Sequence, residues 1–217
     1  MRVRTWSIPL AVATALALVI AVAALSTGGS GSSSTQTATA TATNAGGFDG
    51  APFPPGVLAQ GFALTDQHGR RASLADYRGQ VVVLAFLYSD CAPACVLIAQ
   101  QIRGALDELH RPVPVLIVSV DPAADTPARV RGFLSAVSLS GRVRYLTAPR
   151  AALRAVWRAY RITTPASGRA SFERAASVIL IDARGHERVI YQQEQLTPES
   201  LAHDIGRLRG ADTLAAR

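Results

Sequence analysis

Residues 80–88 read Gln-Val-Val-Val-Leu-Ala-Phe-Leu-Tyr, an almost unbroken apolar run rich in β-branched side chains. A strand with one wet face alternates apolar and polar residues, whereas a strand covered on both faces does not. Gln80–Tyr88 therefore predicts a central strand with packed layers on either side. Val113–Val120 is a second run of the same kind. Between them, Val96, Ile98, Ala99, Ile102, Leu106 and Leu109 recur at helical spacing, which predicts a helix over Cys95–His110. A buried strand, a helix and a second buried strand make a parallel pair with a helical crossover.

The rest of the chain extends this unit. Phe62–Thr65 and Arg70–Ala72 flank a turn-rich Asp66-Gln67-His68-Gly69, which predicts an N-terminal β-hairpin. Thr126 caps and Pro127 opens a helix running to about Val137. Val143–Leu146 reads as a short strand, and about Pro149 to Tyr160 as a helix. Ser177–Ile181 and Val189–Gln192 bracket a turn at Asp182–His186, and a last helix opens at Thr197-Pro198 and ends near Gly210. The expected fold is α/β, a thioredoxin-like three-layer sandwich with an N-terminal β-hairpin and one inserted helix and strand.

Arg2 and Arg4 precede an uncharged apolar run from Ile8 to Leu25. That run is long enough to span a bilayer, which takes about 20 residues. Arginines before it and none soon after favour a cytoplasmic N-terminus and an exported remainder. Residues 1–25 are thus expected to be one transmembrane helix, with Ala21-Val22-Ala23 as a possible cleavage signal. Residues 26–55 are Ser, Thr, Ala, Gly and Pro with few apolar or charged groups, a flexible linker by composition. Residues 56–217 form the folded domain. The expected location is the cell membrane, single-pass, with the domain on the extracytoplasmic side.

Composition narrows the chemistry. All 22 basic residues are arginine, so a lysine Schiff base and a lysine-bearing phosphate loop are both excluded. Two cysteines exclude a four-cysteine zinc site within one chain. Those two, Cys91 and Cys95, stand where the strongest strand meets the next helix, in Ser89-Asp90-Cys91-Ala92-Pro93-Ala94-Cys95. At four-residue helical spacing their Cβ atoms would be about 5–6 Å apart. A disulfide needs about 3.5–4.5 Å, which Cys91 meets if it precedes the first turn. A helix N-terminus also favours thiolate, the form that attacks disulfides and ligates soft metals. A five-residue loop crosslinks little chain, so a functional dithiol outweighs a purely structural disulfide.

Several segments resemble the SCO/SenC family. They are Val82–Cys91 through Cys95, Val118-Ser119-Val120-Asp121-Pro122 followed by Asp125-Thr126-Pro127, Phe62–Gln67 with Gly69, and Ala155–Tyr160. The resemblance implies a membrane-tethered thioredoxin-like domain that handles copper, or the thiol state of a copper site, in cytochrome c oxidase assembly. The implied client is an oxidase subunit and the implied metal ligands are Cys91 and Cys95. Asp121, Asp125 and Arg174 are the candidates to tune the site: a positive charge at Arg174 near the thiols favours thiolate, while Asp121 and Asp125 read equally as a turn aspartate and the residue before a helix cap. Two departures stand out. Val96 replaces a common proline. Arg174 falls where the family's third copper ligand, a histidine, belongs, when Leu180-Ile181-Asp182 is aligned. Arginine stays protonated and cannot ligate copper. His68, His110, His186 and His203 are each expected away from the cysteines.

Two mechanisms share these residues: Cu(I) handling by two sulfurs, and thiol–disulfide exchange with Cys91 attacking and Cys95 resolving, without stable copper. A thiol peroxidase is disfavoured because Tyr88 stands where such enzymes carry threonine. The net charge of +7 is spread over single and paired arginines, with no block of five. That pattern suits solvation, and no nucleic-acid partner is expected.

Overall fold

The computed structural model describes residues 47–215, apart from Ala92. Residues 1–46, with the expected transmembrane helix and most of the linker, lie outside the described residues. Among those described, no helix is long and apolar enough to cross a membrane.

Among the described residues eight strands form one sheet. In chain order they are β1 (Ala51–Pro52), β2 (Ala63–Asp66), β3 (Arg71–Ser73), β4 (Val82–Leu87), β5 (Val115–Ser119), β6 (Arg144–Thr147), β7 (Ser177–Ile181) and β8 (Glu187–Gln192). The spatial order is β1-β8-β7-β4-β5-β6-β2-β3. β4 lies inside, parallel to β5 and antiparallel to β7, and all six of its residues are buried. The continuous apolar run thus becomes the doubly covered strand it predicted.

Among the described residues five α-helices complete the layers: α1 (Ala94–Glu108), α2 (Pro127–Ala136), α3 (Arg150–Ala159), α4 (Arg169–Ala175) and α5 (Pro198–Ala215). Paired strand residues point to the same face. Ile117 pairs with Tyr145, whose ring meets Phe133 of α2 at 6.5 Å. Phe86 pairs with Val118 and lies on the other face, where its ring meets Tyr160 after α3 at 5.3 Å. Right-handed crossovers put α1 on the α2 side, and α5 packs against α1. Gly104 allows that approach, since a Cβ there would sit 2.7 Å from the Pro198 side chain.

Local chemistry sets the turns. The Thr126 hydroxyl accepts the Arg129 N–H, and Pro127 starts α2, as its cap sequence predicts. Asp66 accepts the backbone N–H groups of His68 and Arg70 and the Arg144 guanidinium at 2.9 Å. Burial alone would raise its pKa, but these bonds and the Arg144 charge hold the carboxyl down at about 2.

Two elements depart from the sequence expectation. α4 lies inside what reads as a connection. β1 falls within the segment whose composition reads as linker, and it closes the open edge of β8 through Ala51↔Ile190 and Pro52↔Val189. A strand this short, with a proline, belongs at an edge. The buried Asp204 of α5 holds it in place by accepting N–H bonds from Asp49 and Gly50 at 2.9 and 3.0 Å. Tyr191 also donates to Asp204.

Candidate functional site: a disulfide at the end of the central strand

The strand order changes direction at β4, and crevices at such switch points hold ligands in open α/β sheets. Cys91 and Cys95 lie at this carboxyl end. They form a disulfide with Cα atoms 5.4 Å apart. Cys91 precedes the helix, while Cys95 is in the first turn of α1, which closes the gap that strict helical spacing would leave. The cap position of α1 is Pro93, with no side-chain cap bond and no acidic residue in the first turn. Cys95 is fully buried, and the junction position of Cys91 opens it only to 2%.

Beneath the loop, Asp125 is buried and accepts three hydrogen bonds. The Ser89 N–H donates at 2.6 Å, the Ser119 hydroxyl at 2.6 Å and the Tyr145 hydroxyl at 2.7 Å. One carboxylate thereby ties the loop entry to the end of β5 and to β6. Burial first, then the Asp125 charge, pushes the Tyr145 phenol well above its usual range, so it remains a donor. Trp157 of α3 donates to the Ser119 carbonyl at 2.9 Å, fixing the same strand end from the other face.

Asp125 therefore acts from below on the loop backbone. Asp121 is half-buried, and its carbonyl closes a turn by accepting the N–H of Ala124 and Asp125. Its neighbours across a cavity of about 240 Å³ are Val120, Arg150, Pro165 and Ala166. Arg174 belongs to α4, whose Phe172 ring meets Tyr88 at 5.4 Å, but its side chain lies outside the described residues. Ser89, Ser119 and Tyr145 escaped the sequence reading. Ser119 and Tyr145 carried a signal, a polar group at an inward position of an otherwise apolar strand, whereas Ser89 bonds through its backbone N–H and carried none.

The histidines lie elsewhere. Val82, at the start of β4, pairs with Ile181, so the turn holding His186 is about 20 Å from the cysteines along the strand. His110 follows the far end of α1. Gln67, next to His68, bonds Val143 and Tyr145 at the entry of β6, again the opposite end. His203 contacts Asp49 and Asp204 at 3.2 and 3.0 Å. Those three form the one His/Cys/Asp/Glu group among the described residues with metal-compatible spacing, and it excludes both cysteines. On reduction the cysteines offer two soft sulfurs. Among the described residues no imidazole adds a third ligand, so the family's full copper ligand set does not fit this site.

Fold and cysteine pair together define a thioredoxin-like protein with a CxxxC disulfide at the end of its central strand. A model of the SCO1/SenC family matches residues 53–209, and the chain belongs to that family. It is 37% identical over 71 residues to peroxiredoxin Bcp of Escherichia coli, covering 32% of this chain and 46% of that one. It is 30% identical over 112 residues to the mitochondrial SCO2 homolog of Bos taurus, covering 49% of this chain and 41% of that one. The chain thus spans less than half the length of either curated relative. The solved structure of Bradyrhizobium japonicum ScoI with copper bound superposes with a TM-score of 0.53 at 24% identity, over 70% of this chain and 99% of that one.

Proposed function

We propose that this protein is a membrane-tethered, extracytoplasmic thiol–disulfide exchange factor for a copper site, with a cytochrome c oxidase subunit as client. The observation that carries the reading is the Cys91–Cys95 disulfide seated on the Asp125 hub at the carboxyl end of β4. In the reduced protein, the Cys91 thiolate attacks a client disulfide, forming a mixed disulfide and releasing one client thiolate. The Cys95 thiolate then attacks the Cys91 sulfur, releasing the second client thiolate and closing the Cys91–Cys95 bond. Two electrons pass to the client, and a second dithiol must restore the reduced pair. Both sulfurs are buried, so burial does not choose between them; Cys91 takes the attacking role because it lies in the loop ahead of α1, whereas Cys95 is held in the first turn of the helix.

Cu(I) handling as cargo is the second reading. Family membership and the likeness to a relative solved with copper bound favour it, and two thiolates suit Cu(I). Residues 1–25 would serve as anchor and 26–55 as linker in either case.

One experiment separates the two. The reduced protein is titrated with Cu(I) against a chromogenic chelator and assayed for reduction of a model disulfide, with Cys91→Ser and Cys95→Ser in parallel. Disulfide reduction abolished by Cys91→Ser, without Cu(I) retention, supports exchange. Tight Cu(I) binding lost in both variants, without disulfide reduction, sinks it in favour of delivery. Arg174→His tests the missing ligand: improved Cu(II) binding supports the alignment, and no change rejects it.

A further inference from the structure

Between Asp125 and Glu173 the sequence has nine arginines and no acidic residue. The fold neutralises some of them with acids from elsewhere. Arg142 meets Asp107 at 2.6 Å, Arg144 meets Asp66 at 2.9 Å and Arg161 meets Glu187 at 3.1 Å. Arg150, Arg154 and Arg158 on α3 are exposed, and among the described residues none of them is ion-paired. Their four-residue spacing stacks them on one helix face, where like charges repel. The helix buries Leu153, Val156 and Trp157 on the adjoining side, and that packing does not require a row of like charges.

The stripe borders a recess. Arg154, Trp157 and Arg158, with Ala151, Ile162 and Thr164, enclose about 440 Å³ beside α3. The Arg150 guanidinium lies 5.7 Å from the Trp157 ring centre. Arg150 also lines the smaller cavity with Val120, whose N–H donates to Leu87, the last residue of β4. The upper end of the stripe is thus at the sheet end that carries the cysteines.

We propose that this face of α3 docks an extended acidic segment of the protein that exchanges electrons with Cys91 and Cys95. The inference rests on the exchange reading above. Arginines four apart rise about 6 Å along the helix, while every second side chain of an extended chain recurs at about 6.8 Å. Acidic residues at alternate positions therefore match the stripe. The recess is concave, with apolar Ala151 and Ile162 in its lining, a shape that a narrow extended chain can follow and a planar bilayer surface cannot.

The test uses the full chain, oxidised, in nonionic detergent. The probe is a dye-labelled peptide of alternating glutamate and serine, followed by anisotropy. R150Q/R154Q/R158Q is expected to weaken binding about tenfold, the sum of three exposed ion pairs. R71Q/R129Q/R131Q, which removes as much charge from other exposed sites, is expected to stay within about twofold. Arg→Lys at the three stripe positions retains binding, and an unchanged urea midpoint certifies the fold. Equal losses in both triple variants, or no loss in the stripe variant, overturn the proposal. So does displacement of the peptide by phosphatidylglycerol in mixed micelles with the detergent, at a lower charge concentration than unlabelled peptide requires, which marks the face as a lipid contact. The stripe variant keeps full exchange with a small uncharged disulfide. If the wild type lacks that exchange while binding the peptide, the exchange reading fails and the docking face stands.

Discussion

Asp125→Ala removes the acceptor of three donors at once, two of them buried and the Ser89 N–H partly so. The Tyr145 hydroxyl has a second acceptor in the Leu87 carbonyl at 3.3 Å and turns to it. The Ser89 N–H and the Ser119 hydroxyl lose charged partners at 2.6 Å. An orphaned buried donor costs about 1–3 kcal/mol, so the expected loss is about 3 kcal/mol. Asp125→Asn separates charge from geometry. The amide oxygen still takes the Ser89 N–H, and the two hydroxyls rotate to accept from the amide nitrogen. That change costs about 1 kcal/mol. Urea unfolding of the oxidised protein at neutral pH reads both values. Reduction by dithiothreitol supplies a second readout, because freeing Ser89 loosens the loop entry and speeds attack on the disulfide. An alanine variant no less stable than the asparagine variant, with unchanged reduction kinetics, refutes the idea that Asp125 holds the loop.

Two further outcomes follow from the packing and charge. The Asp66 carboxyl is held down from 3.8 to about 2 in the folded state, worth about 2 kcal/mol of stability. That contribution is complete above about pH 4 and vanishes as pH falls through about 2, so Asp66→Asn is less stable at neutral pH and equal to wild type in strong acid by acid unfolding. Gly104→Ala and Gly206→Ala should shift thermal midpoints in opposite directions. A Cβ at Gly104 meets Pro198 at 2.7 Å and costs about 1–3 kcal/mol, whereas Gly206 has open space and gains up to about 1 kcal/mol of helix propensity.

The elements most legible in the sequence are those whose burial is one-dimensional. β4 and β5 are continuous apolar runs, and α2 carries its own cap in Thr126-Pro127. The cysteine junction was legible for the same reason, since a strand end and a helix start fix its place. β1 was not, because two residues with a proline have no pattern of their own. They form a strand only because β8 has an open edge and Asp204 waits to accept two N–H groups. Asp125 read equally as the residue before a helix cap. Its three partners come from β4, β5 and β6 registers that no local window contains. The arginine count read as dispersed solvation because linear spacing hides a helix face. Arg150, Arg154 and Arg158 become neighbours only when α3 winds and its acid-free surroundings fold around it.

The join between Asp204 and the β1 segment has a mechanical consequence. Any pull on the chain ahead of Gly47 enters the fold at Asp49 and Gly50, beside the edge strand. β1 would peel from β8 one hydrogen-bonded pair at a time, a geometry weak against load. The Asp204 carboxylate stands ahead of that zipper and shares the force with α5, which rests on α1. A load applied there is thereby spread over two packed helices before it reaches β7 and β4, and the disulfide at the far end of β4 is shielded from it.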